Sequence, residues 1–231
     1  MVKHLPNAIT CLNLFSGCIG VVFAFENNLR YAGYAILISA FLDFFDGMAA
    51  RLLNISSPMG KQLDSLADMV SFGLLPAVMM FQLISSSTGS YNPVSWLPYI
   101  AFMLAIFSAL RLAKFNVDVR QGDRFIGLPT PSGALVVMAI PYIIENGGFF
   151  GNLFDNRLTL IALTLIVSLL LVAELPLLAL KFKSFDFRSN RYRYLLLIIG
   201  VALFAMFNFA SIPLIILIYI LLSIIQNKLT T

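Results

Sequence analysis

Charge is scarce in this sequence. Only 11% of its 231 residues are Asp, Glu, Lys or Arg, while 60% are hydrophobic. A soluble domain cannot hide that much apolar surface, and a mean hydropathy of +0.92 places the chain among integral membrane proteins before any motif is read. There is one histidine, His4, with no partners for a triad, and it reads as an interfacial residue. The two cysteines, Cys11 and Cys18, share one apolar segment; this does not favour a disulfide, and both are expected to be small buried hydrophobes. The net charge of +4 raises nucleic acid as a partner. The basic residues lie between apolar runs, however, where membrane topology explains them, and no nucleic-acid partner is expected. Lys3 ahead of an apolar stretch imitates a signal peptide, but no small-residue cleavage site follows, so the segment is expected to remain in the mature protein.

What the chain does have is a succession of apolar runs. A crossing needs about 20 such residues. The pattern predicts helices over 6–25, 31–53, 60–85 (opened by Pro58 and Gly60), 94–116, 131–145 and 157–180. The last run, Leu195 to Ile225, would be about 46 Å long at 1.5 Å per residue, too long for one crossing. Asn208, Ser211 and Pro213 interrupt it, which predicts two short helices. The expected fold is all-α: a polytopic membrane protein of about eight transmembrane helices. It is expected to form a single transmembrane domain over 1–231, with a catalytic core at about 5–180 and a C-terminal helical pair at about 192–226. No internal repeat or low-complexity tract stands out.

Charge sets the orientation. With the N-terminus inside, every Lys and Arg of the 15 except Arg30 and Arg157 falls on the cytoplasmic side, as the positive-inside rule requires. Both termini are then cytoplasmic. The outer loop Ser85 to Pro93 has no charge, and Trp96 and Tyr99 suit an outer aromatic belt. The basic loop Lys181 to Arg193 fits a topology anchor on anionic lipid headgroups.

Four of the 11 acidic residues break the apolar pattern: Asp43, Asp46, Asp64 and Asp68. Intramembrane carboxylates are costly and are functional candidates by default. At 100° per residue, Asp43, Asp46, Gly47, Ala50 and Arg51 fall within an arc of about 140° on one helix face. Asp64 and Asp68, four apart, share a face of the next helix. The second helix descends to the cytoplasm and the third leaves from it, so the four carboxylates meet near one membrane edge. Four anions this close cannot all stay ionised without cations. An all-oxygen set with no His or Cys nearby favours Mg²⁺ or Mn²⁺ over zinc. An ion or proton pathway also uses carboxylates. The location at one edge, with a glycine for close backbone approach and an arginine for phosphates, points instead to a nucleotide.

The stretch Asp43-x2-Asp46-Gly47-x2-Ala50-Arg51-x8-Gly60-x3-Asp64-x3-Asp68 resembles the CDP-alcohol phosphotransferase signature at each of its eight fixed positions. The resemblance implies a homodimeric enzyme with two divalent ions, Asp43, Asp46 and Asp64 as ligands, and Asp68 as both ligand and base for the acceptor's proton. It implies that Gly47, Arg51, Ser57 and Gly60 contact the CDP-lipid headgroup, with Asn7 and Thr10 beside it. Further pieces are similar to the serine-accepting members of that family: P6-N7-A8-I9-T10 with N13-L14 and G17; D68-M-V-S71-F72-G73 with P76; A109-L-R111-L-A-K114-F-N116; and G127-L-P-T-P-S-G133. They cover most of residues 5–134, and nothing after 157 is as distinctive. The implied reaction is transfer of a phosphatidyl group from CDP-diacylglycerol, or an ether-lipid equivalent, to L-serine, giving phosphatidylserine and CMP at the cytoplasmic side of the cell membrane.

Serine's carboxylate needs a cation, and Arg111, Lys114 and Asn116 end their helix at the same edge as Asp68; these three are the expected acceptor contacts. Arg111 and Lys114 also read as positive-inside anchors, Gly73 and Pro76 as a loosened packing helix, and Gly127 to Gly133 as a tight turn. Inositol phosphate or glycerol phosphate as acceptor, and a carboxylate-based ion transporter, remain alternatives at this point. No activated Ser, Cys or His nucleophile is visible, which favours direct in-line displacement.

Overall fold

A computed structural model describes residues 4–55, 57–87, 96–117, 125–178 and 186–230. It is built almost wholly of helix: α1 (Leu5–Phe25), α2 (Leu29–Leu52), α3 (Pro58–Asp68), α4 (Leu75–Ser86), α5 (Met103–Val117), α6 (Thr130–Asn146), α7 (Gly148–Phe154), α8 (Arg157–Val172), α9 (Phe187–Phe207) and α10 (Ile212–Thr230). A π-helical segment, Met69–Leu74, joins α3 to α4 without a break, and a 3-10 turn, Leu97–Phe102, leads into α5. Two short strands, β1 (Phe125–Ile126) and β2 (Pro176–Leu177), pair antiparallel.

Four stretches are long and apolar enough to cross a membrane: Leu5–Phe25, Pro58–Ser86, Leu97–Val117 and Asn190–Asn227. The protein is a helical membrane protein. The other helices fall outside that set for visible reasons. α2 carries Arg30, Asp43, Asp46 and Arg51, while α6 and α8 have only 17 and 16 residues. The run Asn190–Asn227 is not one straight rod. Asn208 takes the left-handed conformation (φ 50°), and the would-be Cβ of Gly200 lies 3.8 Å from Ile215 on the far side of that break. Residues nearly equidistant from Asn208 touch, so the chain folds back there as a helical pair.

α1 packs against α2, α3, the π segment and α4, and small residues on one face let these neighbours close on it. Pro6, Thr10, Asn13, Gly17, Gly20 and Ala24, three or four apart, are its buried stripe. A Cβ on Gly17 would stand 2.4 Å from Ser71 Oγ and 3.0 Å from Ser71 Cα; one on Gly20 would meet Leu75 at 2.5 Å and Ala35 at 2.8 Å. Such close approach is how helices associate when lipid removes the hydrophobic drive between them. The backbone carbonyl of Asn13 accepts hydroxyls from Ser39 of α2 (3.3 Å) and Ser71 of the π segment (3.1 Å), joining three elements at one buried point.

The same stripe corrects one expectation. Cys11 and Cys18 are exposed, not buried. They lie on the other side of α1 with Leu12, Phe15 and Ile19, where a membrane helix turns its apolar residues to lipid.

Two helix ends place backbone around the site. α2 stops at Asn54 (φ 50°), with Asn54 N–H donating to Arg51 O (3.2 Å) and Ile55 N–H to Ala50 O (2.9 Å). This is the C-terminal pattern that a left-handed residue allows, and asparagine tolerates that conformation better than most. α3 then starts on Ser57, whose Oγ accepts from Gly60 N–H at 2.9 Å, with Pro58 inside the first turn. The π segment follows Asp68 directly. Leu75 N–H reaches back five residues to Val70 O, and Pro76 brings no N–H of its own.

Elsewhere the boundaries move. The helix expected over 157–180 ends at Val172, because Pro176 removes a donor and disfavours helix in the residue before it. The freed chain makes β2. Gly127, at φ 78°, donates its N–H to Leu175 O at 2.9 Å, and a Cβ there would come within 2.7 Å of Leu171 O. The turn read over 127–133 is thus a clamp between α8 and the start of α6. α7 was not foreseen, and α9 begins at Phe187, so part of the expected basic loop is helical. Residues 181–185 of that loop, with Lys181 and Lys183, lie outside the described residues, as do Lys3, Arg120, Arg124 and most of the uncharged outer loop.

Candidate active site

α2 and α3 bring three carboxylates together. One oxygen from each of Asp43, Asp64 and Asp68 lies within 4.8 Å of the others. Asp46, one turn along α2, faces α1, where Thr10 Oγ1 donates to its Oδ2 at 2.7 Å. Asn13, fully buried on α1, donates from Nδ2 to Asp68 Oδ1 at 3.4 Å. Among the described residues none of the four aspartates is ion-paired to a Lys or Arg, and Asp64 Oδ1 is buried without a hydrogen-bond partner.

Converging anions with no cation of their own, and one orphaned buried oxygen, are a poor way to hold a membrane helix pair together. The same arrangement suits a hard divalent ion, which takes oxygen ligands and few others. The residues therefore fit a metal site.

Beside the carboxylates lies an open cavity of about 270 Å³. Asn7, Thr10, Gly47, Ser57 and Gly60 all line it, together with Asp46, Asp64 and Lys61. These are five of the six residues expected to contact a CDP headgroup. The sixth, Arg51, is not on the wall: its Nε donates to Gly47 O at 2.9 Å, alongside the cavity. Gly47 leaves bare backbone there, since a Cβ would meet nothing nearer than Arg51 Nη2 at 4.0 Å. Gly60 is tighter, with Asn7 Oδ1 and Ser57 Oγ each 3.1 Å from a Cβ.

Of the three expected acceptor residues, Arg111 and Lys114 border one crevice and Asn116 is turned to another helix. Arg111 Nη1 donates to Thr130 Oγ1 at the start of α6 (3.5 Å), its guanidinium lies 5.8 Å from the Phe115 ring centroid, and its buried Nε has no partner among the described residues. It is close enough to Asp68 for the two charges to interact. Lys114 is paired with Glu174 at 3.0 Å. Asn116 points away from both, donating from Nδ2 to Ser65 Oγ at 2.8 Å. The crevice that Arg111 and Lys114 share with Leu171 and Val172 is only about 10 Å³, room for about one water.

Sequence comparison decides the family. The model of the CDP-alcohol phosphatidyltransferase family matches residues 3–177, which contain all of the residues just described. The chain belongs to the CDP-alcohol phosphatidyltransferase family.

Curated relatives of this chain are called CDP-diacylglycerol–serine O-phosphatidyltransferase. The Bacillus subtilis protein is 37% identical over 147 residues, covering 61% of this chain and 78% of that protein. The Saccharomyces cerevisiae protein is 37% identical over 166 residues, covering 65% of this chain and 58% of its own length. The Mycobacterium leprae protein is 35% identical over 146 residues, covering 60% of this chain and 47% of its own length. The chain thus spans about half the length of some of the curated relatives it matches.

Sequence reasoning left Asn13 out of the site, although its place three residues after Thr10 puts it on the same helix face. It also read Lys61 only as a topology charge. Ser65 gave no signal, because its role is to hold Asn116 of another helix.

Proposed function

We propose that this chain transfers a phosphatidyl group from a CDP-linked lipid to L-serine, releasing CMP. The observation that carries the reading is the convergence of Asp43, Asp64 and Asp68 beside a cavity walled by Asn7, Thr10, Gly47, Ser57 and Gly60. The names of the relatives support serine as the acceptor.

In this reading Asp43, Asp46, Asp64 and Asp68 would hold two divalent ions, Mg²⁺ or Mn²⁺, which would supply charge neutralisation at the pyrophosphate. The cavity binds the cytidine diphosphate portion, with Arg51 at its margin. Asp68, steadied by Asn13, takes the proton of the serine hydroxyl. The serine oxygen forms a bond to the β-phosphorus while the bond from that phosphorus to the bridging oxygen breaks, and the oxygen departs with CMP. Arg111 takes the serine carboxylate: its Nε is open, whereas Lys114 and Asn116 are engaged by Glu174 and Ser65. The narrow crevice beside Arg111 has to widen for that, and the exposed Lys114–Glu174 pair is the contact that would give way.

An enzyme of this kind binds CDP; a carboxylate-lined ion pathway has no reason to. Purified protein in detergent with Mg²⁺ is expected to gain thermal stability with CDP and none with uncharged cytidine-free controls such as glucose. Equal melting temperatures with and without saturating CDP would speak for the transporter.

We read the chain as one domain crossing the cell membrane eight times, a homodimer with both termini and the active site on the cytoplasmic side. The distribution of basic residues supports this, with Arg30 and Arg157 the two exceptions. The family match ends at residue 177, which supports treating α9 and α10 as an addition to the catalytic core. A cysteine introduced at Thr231 is expected to resist impermeant maleimide in intact cells and to react after permeabilisation. Labelling in intact cells would overturn the topology.

A further inference from the structure

Lys61 is the one Lys or Arg among the described residues that line the 270 Å³ cavity. It stands at the first of the three variable positions between Gly60 and Asp64, so the signature prescribes nothing there. Its Nζ donates to Asn116 O at 3.0 Å, near the C-terminal end of α5. An ammonium has three donors, and this contact uses one of them. Although Asp64 lies three residues on along the same helix, Lys61 makes no ion pair with it among the described residues. The charge is seated but not neutralised.

The helix end beside it favours an anion. The first turn of α3 supplies Ser57 and Gly60 to the same wall and contains no acidic residue, so the positive end of the helix dipole is uncompensated there. Asn116 O accepts from the Lys61 ammonium, and Asn116 Nδ2 in turn donates to Ser65 Oγ, which donates to Lys61 O at 3.2 Å. This closed set of contacts ties the lysine to α5 and limits the rotamers that a free lysine would sample.

Resting on the reading of the cavity as a CDP site, we propose that Lys61 is a binding residue for the pyrophosphate of the CDP-linked substrate, seated by the carbonyl of Asn116. The lysine supplies a fixed positive charge to the cavity wall that also carries Asp46 and Asp64. An alternative role is purely structural: the ammonium only caps the end of α5, where carbonyls lack helical partners.

Lys61→Gln separates these roles, because glutamine keeps a donor for Asn116 O and removes the charge. CDP and cytidine are titrated into purified wild type, Lys61→Gln and Lys61→Arg with Mg²⁺ present, and melting temperatures and the KM for serine are recorded. The expected result is a loss of CDP affinity of about tenfold or more in Lys61→Gln, as for removal of a charge-assisted contact. Cytidine affinity, melting temperature and serine KM stay at wild-type values, and Lys61→Arg retains most of the CDP affinity. Equal CDP affinity in wild type and Lys61→Gln overturns the assignment. So does a CDP loss matched by a lower melting temperature and a higher serine KM, which marks a brace between α3 and α5. Wild type that binds no CDP overturns the reading of the cavity, and this assignment with it.

Discussion

Asp64→Asn is expected to lower phosphatidyl transfer by about a thousandfold or more, and Asp43→Asn to do the same. Asp64 and Asp43 each contribute an oxygen to a cluster that fits within 4.8 Å, and Asp64 also has the buried oxygen with no partner. Asparagine is nearly the same size but offers a neutral amide, so the helices still pack while the site loses an anionic ligand. Stabilisation of a transferring phosphoryl group by a bound cation is worth several kcal/mol, and about 4 kcal/mol is a thousandfold in rate. Asp46→Asn is expected to be damaging in a different way, since Thr10 donates to that carboxylate and an amide can turn its NH₂ toward the hydroxyl. Activity as CMP release and Mn²⁺ binding by calorimetry are measured on the same preparations. Near-normal turnover in EDTA, or in Asp43→Asn and Asp64→Asn, would show that the cluster holds no metal.

Arg111→Ala is expected to reduce kcat/KM for serine about 30-fold or more, a loss of about 2–3 kcal/mol, with CDP binding largely kept. Arg111 is the cation that has both a vacant buried donor and proximity to Asp68. Its guanidinium lies 5.8 Å from the Phe115 ring centroid and is anchored at one end by Thr130, which leaves the rest of the fork for a carboxylate. Lysine at this position should rescue only in part, because it lacks the fork. Ethanolamine, which has no carboxylate, should be a poor acceptor in wild type and should lose little further in the variant. Equal losses for serine and ethanolamine would mean that Arg111 supports the fold of the site instead of reading the acceptor.

The parts of this molecule that were legible in the sequence are those governed by local rules. The apolar runs locate α1, the α3–α4 rod, α5 taken with its 3-10 lead-in, and α6 to within a few residues, because lipid leaves helix as the one way to satisfy the backbone. Asn208 and Pro213 mark the fold-back between α9 and α10. The aspartate spacing reads directly as two helix faces, and the structure brings three of the four carboxylates into one cluster, with Asp46 turned to Thr10.

What stayed hidden depends on contacts between distant segments. The π segment after Asp68 carries no signal beyond Gly73 and Pro76, which loosened packing would explain equally well. The β1–β2 clamp depends on Gly127 meeting the end of α8, more than forty residues away. The exposure of Cys11 and Cys18 follows from which face of α1 is lined with glycine, and that face becomes evident only once Ser71 and Leu75 are seen against it. Asn116 shows the limit most clearly. Its place near Arg111 and Lys114 in sequence suggested one pocket, but on a helix those positions point in different directions, and Ser65 and Lys61 claim it.

The most direct test of the central claim is the reaction itself. Purified protein is given CDP-diacylglycerol with Mg²⁺ or Mn²⁺ and, in separate vessels, L-serine, ethanolamine, glycerol phosphate or inositol phosphate, and CMP and the lipid product are measured together. The account predicts CMP in equal amount to phosphatidylserine with L-serine, little product with the others, and none in EDTA. Faster turnover with glycerol phosphate or inositol phosphate would contradict serine as the acceptor, and no CMP with any acceptor would contradict the phosphatidyl-transfer reading of the site.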